Sequence, residues 1–137
     1  MIYQTEIILP SFGRGFHLIT GIIKQNLPPL PETGLVNIFI RHTSAGLTIN
    51  ENFDPTVRLD MSTAFDRIVP ENTTLYQHND EGSDDMPAHV KSSLAGASLS
   101  IPIRNHSLGL GTWQGIFLCE FRSKKQQRTV LITIIGE

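Results

Sequence analysis

Hydrophobic and polar residues alternate with a period of two along several short stretches of this chain and give way to a helical period in between. Over residues 35–42, Val36, Ile38 and Ile40 fall on one face and Asn37, Phe39 and Arg41 on the other, the pattern of a strand with one buried side. His42 continues the aliphatic face, so its ring is expected at the edge of the core. Residues 3–9 and 15–20 read as strands joined across Pro10-Ser11-Phe12-Gly13. Residues 46–50 read as another after the turn Thr43-Ser44-Ala45-Gly46. Beyond residue 97 the alternation returns over 98–103, 107–111, 115–122 and 128–135. In the third of these, Phe117, Cys119 and Phe121 share one face and Ile116, Leu118 and Glu120 the other.

Helical spacing predicts three further elements. Residues 20–27 begin at Thr20, a candidate N-cap, and stop at Pro28-Pro29-Leu30-Pro31, because proline lacks the amide hydrogen and disfavours a helical residue before it. Asp54-Pro55 opens a second helix, with an acceptor at the N-cap and proline at N1. Val57, Met61, Ala64, Phe65 and Ile68 repeat along it until Pro70. A third opens near Asp85-Met86-Pro87 and runs to about Leu94, with Gly96 as its stop and Val90, Leu94 and Ala97 as the expected buried stripe. With a strand ending near His78, the total is about nine strands and two or three helices. The expected fold class is α+β: one compact antiparallel β-sandwich or partly closed barrel with helices laid against one side.

Composition narrows the partners more than the fold. At 137 residues the chain is expected to form a single domain. A net charge of −2 supplies no electrostatic reason for nucleic acid or an anionic membrane as partner. No apolar run approaches the roughly 18–20 residues that span a bilayer, and the first residues lack the order of a signal peptide. The single cysteine, Cys119, rules out an intramolecular disulfide. A soluble cytoplasmic protein is expected.

The candidate chemistry lies in three polar strings: Arg41-His42-Thr43-Ser44-Ala45-Gly46, Tyr76-Gln77-His78-Asn79-Asp80 and Asp84-Asp85-Met86-Pro87-Ala88-His89. His42 and His78 at strand ends and His89 in the first turn of a helix are candidate metal ligands, with zinc the leading ion. Three imidazoles leave the open position that a catalytic ion needs. Asp85 and Glu120 are candidate bases or further ligands, alongside Asp84 and Glu51. Simpler readings stand beside these: His42 as a hydrogen-bonded strand residue, His78 as a solvated loop residue, and Asp85 as an N-cap. Thr43, Ser44, Lys91 and Ser92 are candidate contacts for a phosphorylated small molecule. In Gly109-x-Gly111-Thr112-Trp113-Gln114-Gly115, Trp113 is a stacking face and Gln114 a two-way hydrogen-bonding group, or the whole is a packed turn. Cys119 is expected to be buried and inert, with a thiolate ligand as the alternative.

Residues 42–55, 84–99 and 110–122, together with Arg14-Gly15-Phe16-His17 and the ending Arg128…Thr133…Gly136-Glu137, resemble the YjbQ family of small bacterial and archaeal proteins. The resemblance implies a β-rich α+β domain assembling as a homotrimer. It also implies a pocket lined by the histidines matching His42, His78 and His89 and suited to a divalent metal. Finally, it implies a weak thiamine-phosphate synthase activity, joining hydroxymethylpyrimidine diphosphate to thiazole phosphate. Asn105-His106-Ser107-Leu108 departs from the family's glycine and basic residue at this turn, which removes one phosphate contact. His17 and His106 are read as structural or surface residues.

Overall fold

The structure is a computed structural model that describes residues 1–72 and 74–137. Its elements in chain order are β1 (Ile2–Ile8), β2 (Gly15–Leu18), α1 (Thr20–Gln25), β3 (Thr33–Ile40), β4 (Ala45–Glu51), α2 (Pro55–Ile68), α3 (Asp85–Ala95), β5 (Ser98–Arg104), β6 (Ser107–Leu108), β7 (Gln114–Glu120) and β8 (Thr129–Gly136). Five strands form one sheet in the order β1-β8-β3-β5-β6, and three form another in the order β2-β7-β4, all antiparallel.

The period-two alternation explains how the sheets stack. Val36, Ile38 and Ile40 of β3 are buried with Ile101, Ile103, Val130, Ile132 and Ile134 on the inner face of the larger sheet. They meet Leu47, Ile116 and Leu118 from the smaller sheet and Ile19 and Ile23 around α1. The opposite face of the smaller sheet carries a second core, in which Phe16, Phe117, Cys119 and Phe121 pack against Ala88 of α3 and Met61 and Phe65 of α2. Both longer helices therefore lie on one side, as the sequence predicts. Burial in this aromatic layer pushes the Cys119 thiol up to about 12, which makes it inert. The outer face of the larger sheet is left open. Along it Ile2, Ile135, Leu35 and Pro102 are successive cross-strand neighbours.

Several expectations are corrected. No strand ends at His78: residues 74–84 run as turns and bends, and eight strands are formed among the described residues. Local bonds account for this. The amide and hydroxyl of Thr74 donate to Asn72 Oδ1, Asn79 Nδ2 donates to the Tyr76 carbonyl and Tyr76 Oη to the Pro70 carbonyl. Such side-chain bonds satisfy the backbone without a sheet ladder. Thr20 is not an N-cap; β2 runs almost directly into α1, and the Thr20 hydroxyl instead accepts from the Ile116 amide of β7 at 2.8 Å. In α3 the stripe Val90, Leu94 and Ala97 is replaced by Asp85, Pro87, Ala88 and Lys91, while Leu94 is 58 % exposed. A charged pair sets the helix rotation: the buried Lys91 ammonium lies 2.6 Å from Asp66 Oδ1 of α2, an interaction invisible to hydrophobic periodicity.

Candidate metal centre

Helix α3 carries the site because it can approach the smaller sheet closely. A Cβ on Gly46 of β4 would stand 2.8 Å from Ala95 Cβ and 3.0 Å from the Gly96 carbonyl. Only glycine permits this contact. Gly96, with φ +103, then ends the helix as the sequence predicts. Held there, the first turn of α3 presents Asp85 and His89 one turn apart, and the irregular segment before it brings His78 alongside.

The candidate ligand atoms of His78, Asp85 and His89 all lie within 4.8 Å of one another. Asp85 Oδ2 stands 2.8 Å from His78 Nε2 and 3.3 Å from His89 Nε2. Asp85 is 1 % exposed, and its other oxygen is held by Arg122 Nη1. The Arg122 guanidinium also donates to Asp84 Oδ2 and to the Glu81 carbonyl, so it is fixed at three points. Burial pushes the Asp85 carboxyl up. The His78 hydrogen bond and the Arg122 charge outweigh it and hold the group below the usual carboxylate range.

The tautomer of His89 follows from its partner. Nδ1 lies 2.8 Å from the Thr43 carbonyl oxygen, which can only accept, so Nδ1 carries a hydrogen. In the neutral ring the Nε2 lone pair then faces a carboxylate oxygen. Two acceptors at 3.3 Å require a cation between them, either a proton or a metal ion. A tetrahedral zinc with ligands near 2.0–2.1 Å separates neighbouring donors by roughly 3.3 Å, so the His89–Asp85 spacing already fits and the His78–Asp85 spacing needs only modest opening. An Nδ1–H bonded to a backbone carbonyl is the arrangement that orients histidine ligands. Two histidines and one carboxylate leave open positions, as catalytic zinc and non-haem iron sites do.

His42 lies outside this triad. Its Nε2 accepts from the Thr129 amide at 2.8 Å, the hydrogen-bonded strand-end role. It shares with His89 a shallow cavity of about 450 Å³ that Thr43, Ser92 and Ser93 also line. Burial, reinforced by the Arg128 charge, pushes the His42 imidazole pKa down from 6.5. The folded pKa thus lies below the unfolded one. The resulting stability is fully present above pH about 6.5 and is lost as pH falls from there through the folded value. Asp66, Asp84 and Asp85, all depressed, lose theirs at lower pH, in the carboxylate range. A His42→Gln variant, which keeps an acceptor for the Thr129 amide but does not titrate, is expected to lack the first of these two losses. Urea midpoints measured from pH 8 to pH 4 check this, and parallel wild-type and variant curves between pH 6.5 and 5 would contradict it.

Other residues singled out by sequence have different occupations. Asp85 is not an N-cap. That position is held by Asp84, whose side chain binds Arg122 and the Ser123 amide instead of the helix. Glu120 is fully buried. Its two oxygens receive Arg128 Nε at 2.8 Å and Nη2 at 2.6 Å. Arg128 Nη2 also donates to the carbonyl and hydroxyl of Ser44. This pair therefore braces the loop whose Thr43 carbonyl orients His89, with no oxygen facing the triad. Lys91 is held by Asp66, and Ser92 Oγ donates to the Ala45 carbonyl. Gln114 pairs with Glu51 at the end of the smaller sheet opposite the Glu120–Ala45 pair, about 20 Å away at 3.4 Å per residue. Gln114 Oε1 accepts from the Gly111 amide, and Trp113, 59 % exposed, lies against Phe53 with ring centroids 5.5 Å apart. One chain does not bring these two to the histidines. His17 stacks on Phe12 and donates to the Gly13 carbonyl. His106 occupies a hairpin turn at φ 61.

Sequence reasoning passed over Arg122, the residue that fixes Asp85. Its alternation with Glu120 at the end of β7 was the available signal. The fold and site thus define a small two-sheet α+β protein with a histidine–carboxylate centre at the start of a helix. The chain belongs to the family described as UPF0047 protein YjbQ-like, whose model matches residues 5–137. The UPF0047 protein YjbQ of Salmonella typhimurium is 52 % identical, with all of both chains covered. The UPF0047 protein sll1880 of Synechocystis is also 52 % identical, covering 98 % of this chain and 92 % of that one. A conserved hypothetical protein of Thermus thermophilus has the same fold, with TM-score 0.85, 34 % identity, and 96 % and 99 % of the two chains covered.

Proposed function

We propose that this protein is a metal-dependent enzyme acting on a small molecule, with a divalent ion, zinc by preference, held by His78 Nε2, Asp85 Oδ2 and His89 Nε2. The observation that carries the reading is the His89 tautomer, whose Nε2 lone pair is aimed at a buried carboxylate oxygen. A bound ion there would supply Lewis acidity and lower the pKa of a coordinated water toward about 7. The protein's own contribution is placement. Arg122 fixes Asp85 and Thr43 fixes His89, so the ligands need little reorganisation.

A weak thiamine-phosphate synthase activity is a side reaction on this reading. A leaving diphosphate carries more charge than one divalent ion neutralises, so it needs further cations to steady it. Arg122, Arg128 and Lys91, the cations nearest α3 and its loop, are each bound to carboxylates already. We further propose a homotrimer working in the cytoplasm. The open apolar row Ile2, Ile135, Leu35 and Pro102 supports the assembly, since contiguous exposed apolar surface marks association sites.

Elemental analysis of purified, zinc-reconstituted protein tests the centre. One zinc per chain is expected, lost in His78→Ala and His89→Ala. Wild-type protein that retains no stoichiometric metal would remove the reading and leave a metal-free binding protein.

A further inference from the structure

The cavity beside the triad has an unusual lining. It contains no lysine, arginine or carboxylate, only the two imidazoles, serine and threonine hydroxyls, and backbone at Gly96 and Ala97. Ser92 and Ser93 direct their hydrogens to the carbonyls of Ala45 and His89, so toward the cavity their hydroxyl oxygens are acceptors. One donor remains. His42 Nε2 is occupied as an acceptor by the Thr129 amide. The neutral ring therefore carries its hydrogen on Nδ1, and that N–H has no partner among the described residues. Arg41, across an adjoining cleft, is paired with Glu6 at 3.3 Å.

We propose that this cavity is the substrate subsite of the centre, that it takes a small molecule bearing hydroxyl or carbonyl groups, and that His42 positions a substrate oxygen through its Nδ1–H without ligating the metal. The inference rests on the metal reading above and deepens it. The substrate oxygen accepts from His42 while substrate hydroxyls donate to Ser92 and Ser93. The ion would supply the Coulombic attraction for an anionic group, and the lining itself supplies hydrogen bonds alone.

Two substitutions separate the roles of the ring. His42→Gln keeps an acceptor near Nε2 for the Thr129 amide and removes the Nδ1–H. His42→Asn keeps an N–H near Nδ1 and removes the acceptor. Zinc-loaded wild type and both variants are titrated calorimetrically with acetohydroxamate, which offers a carbonyl and an N–O oxygen and loses its proton on binding zinc, and with inorganic phosphate. Zinc content is measured in parallel. The expected result is full zinc content in all three proteins. Acetohydroxamate should bind wild type and bind His42→Gln about 5–10-fold more weakly, the loss of one hydrogen bond, with His42→Asn closer to wild type. Phosphate, held by the ion, is expected to bind with an affinity that changes less among the three proteins. Loss of zinc from both variants would make His42 a ligand and overturn the inference. So would unchanged acetohydroxamate affinity in His42→Gln, or an equal weakening of phosphate in that variant, which would show only a general disturbance of the ion. A wild type that takes up no zinc fails the metal reading and this inference together, whereas normal zinc with any of the other outcomes fails the inference alone.

Discussion

Asp85→Asn is expected to lower zinc affinity by more than about 100-fold. Losing an outer partner of a ligand costs roughly 10–100-fold, and this change removes a ligand's charge outright. Asp85 is the one member of the triad that touches both histidines and is itself clamped from behind by Arg122. The amide is isosteric, so the helix start is preserved and folding survives. It offers a neutral oxygen or an N–H, and either orientation leaves the ion without the carboxylate's charge. Competition titration with a chromophoric chelator reads the change. An affinity within tenfold of wild type would mean that Asp85 is not a ligand.

Arg128→Met carries the largest expected cost in stability, about 3–5 kcal/mol, because it strands a fully buried Glu120 carboxylate without a counter-ion. Against a typical total of about 5–15 kcal/mol, that is a third or more of the fold's margin. The methionine is close in volume, so the loss is electrostatic rather than a cavity. Adding Glu120→Gln should recover part of it, since the stranded charge is then gone. Urea unfolding of the single and double variants measures both. A single-variant loss below about 1 kcal/mol would show that the pair is solvated in the native state. A second effect reaches the metal centre. Arg128 also holds the carbonyl and hydroxyl of Ser44, so the neighbouring Thr43 carbonyl loses its support and His89 its fixed orientation.

Strands and helices were legible wherever one face is apolar. The alternation of Val36, Ile38 and Ile40, and the Asp54-Pro55 start of α2, where Asp54 accepts from the Thr56 amide, appear much as their patterns predict. What failed was decided by polar pairs between distant residues. The rotation of α3 depends on Lys91 meeting Asp66, and the segment around His78 on side chains bonding to their own backbone. Neither leaves a periodic trace. The candidate site was legible in part for the same reason. His78, Asp85 and His89 stand in polar strings close along the chain, so their meeting was plausible from sequence. His42 and Glu120 stand in similar strings, but their partners, the Thr129 amide and Arg128, lie on β8 and β7–β8 connections that only the tertiary fold reveals.

The position of β8 has a kinetic consequence. The last strand in chain order is interior to its sheet, pairing with β1 from Ile2↔Ile135 to Ile8↔Thr129 and with β3 from Gly34↔Gly136 to Ile40↔Val130. Neither β1 nor β3 has the other as neighbour, so the early strands wait for the late one, and nearly the whole chain must be looped before the larger sheet can close. Loop-closure entropy is then met before the contacts that reward it form. Folding belongs at the slow, millisecond-to-second end for small domains. Until β8 arrives, β1 and β3 each expose an unpaired edge beside an apolar face, the intermediate that is most exposed to aggregation.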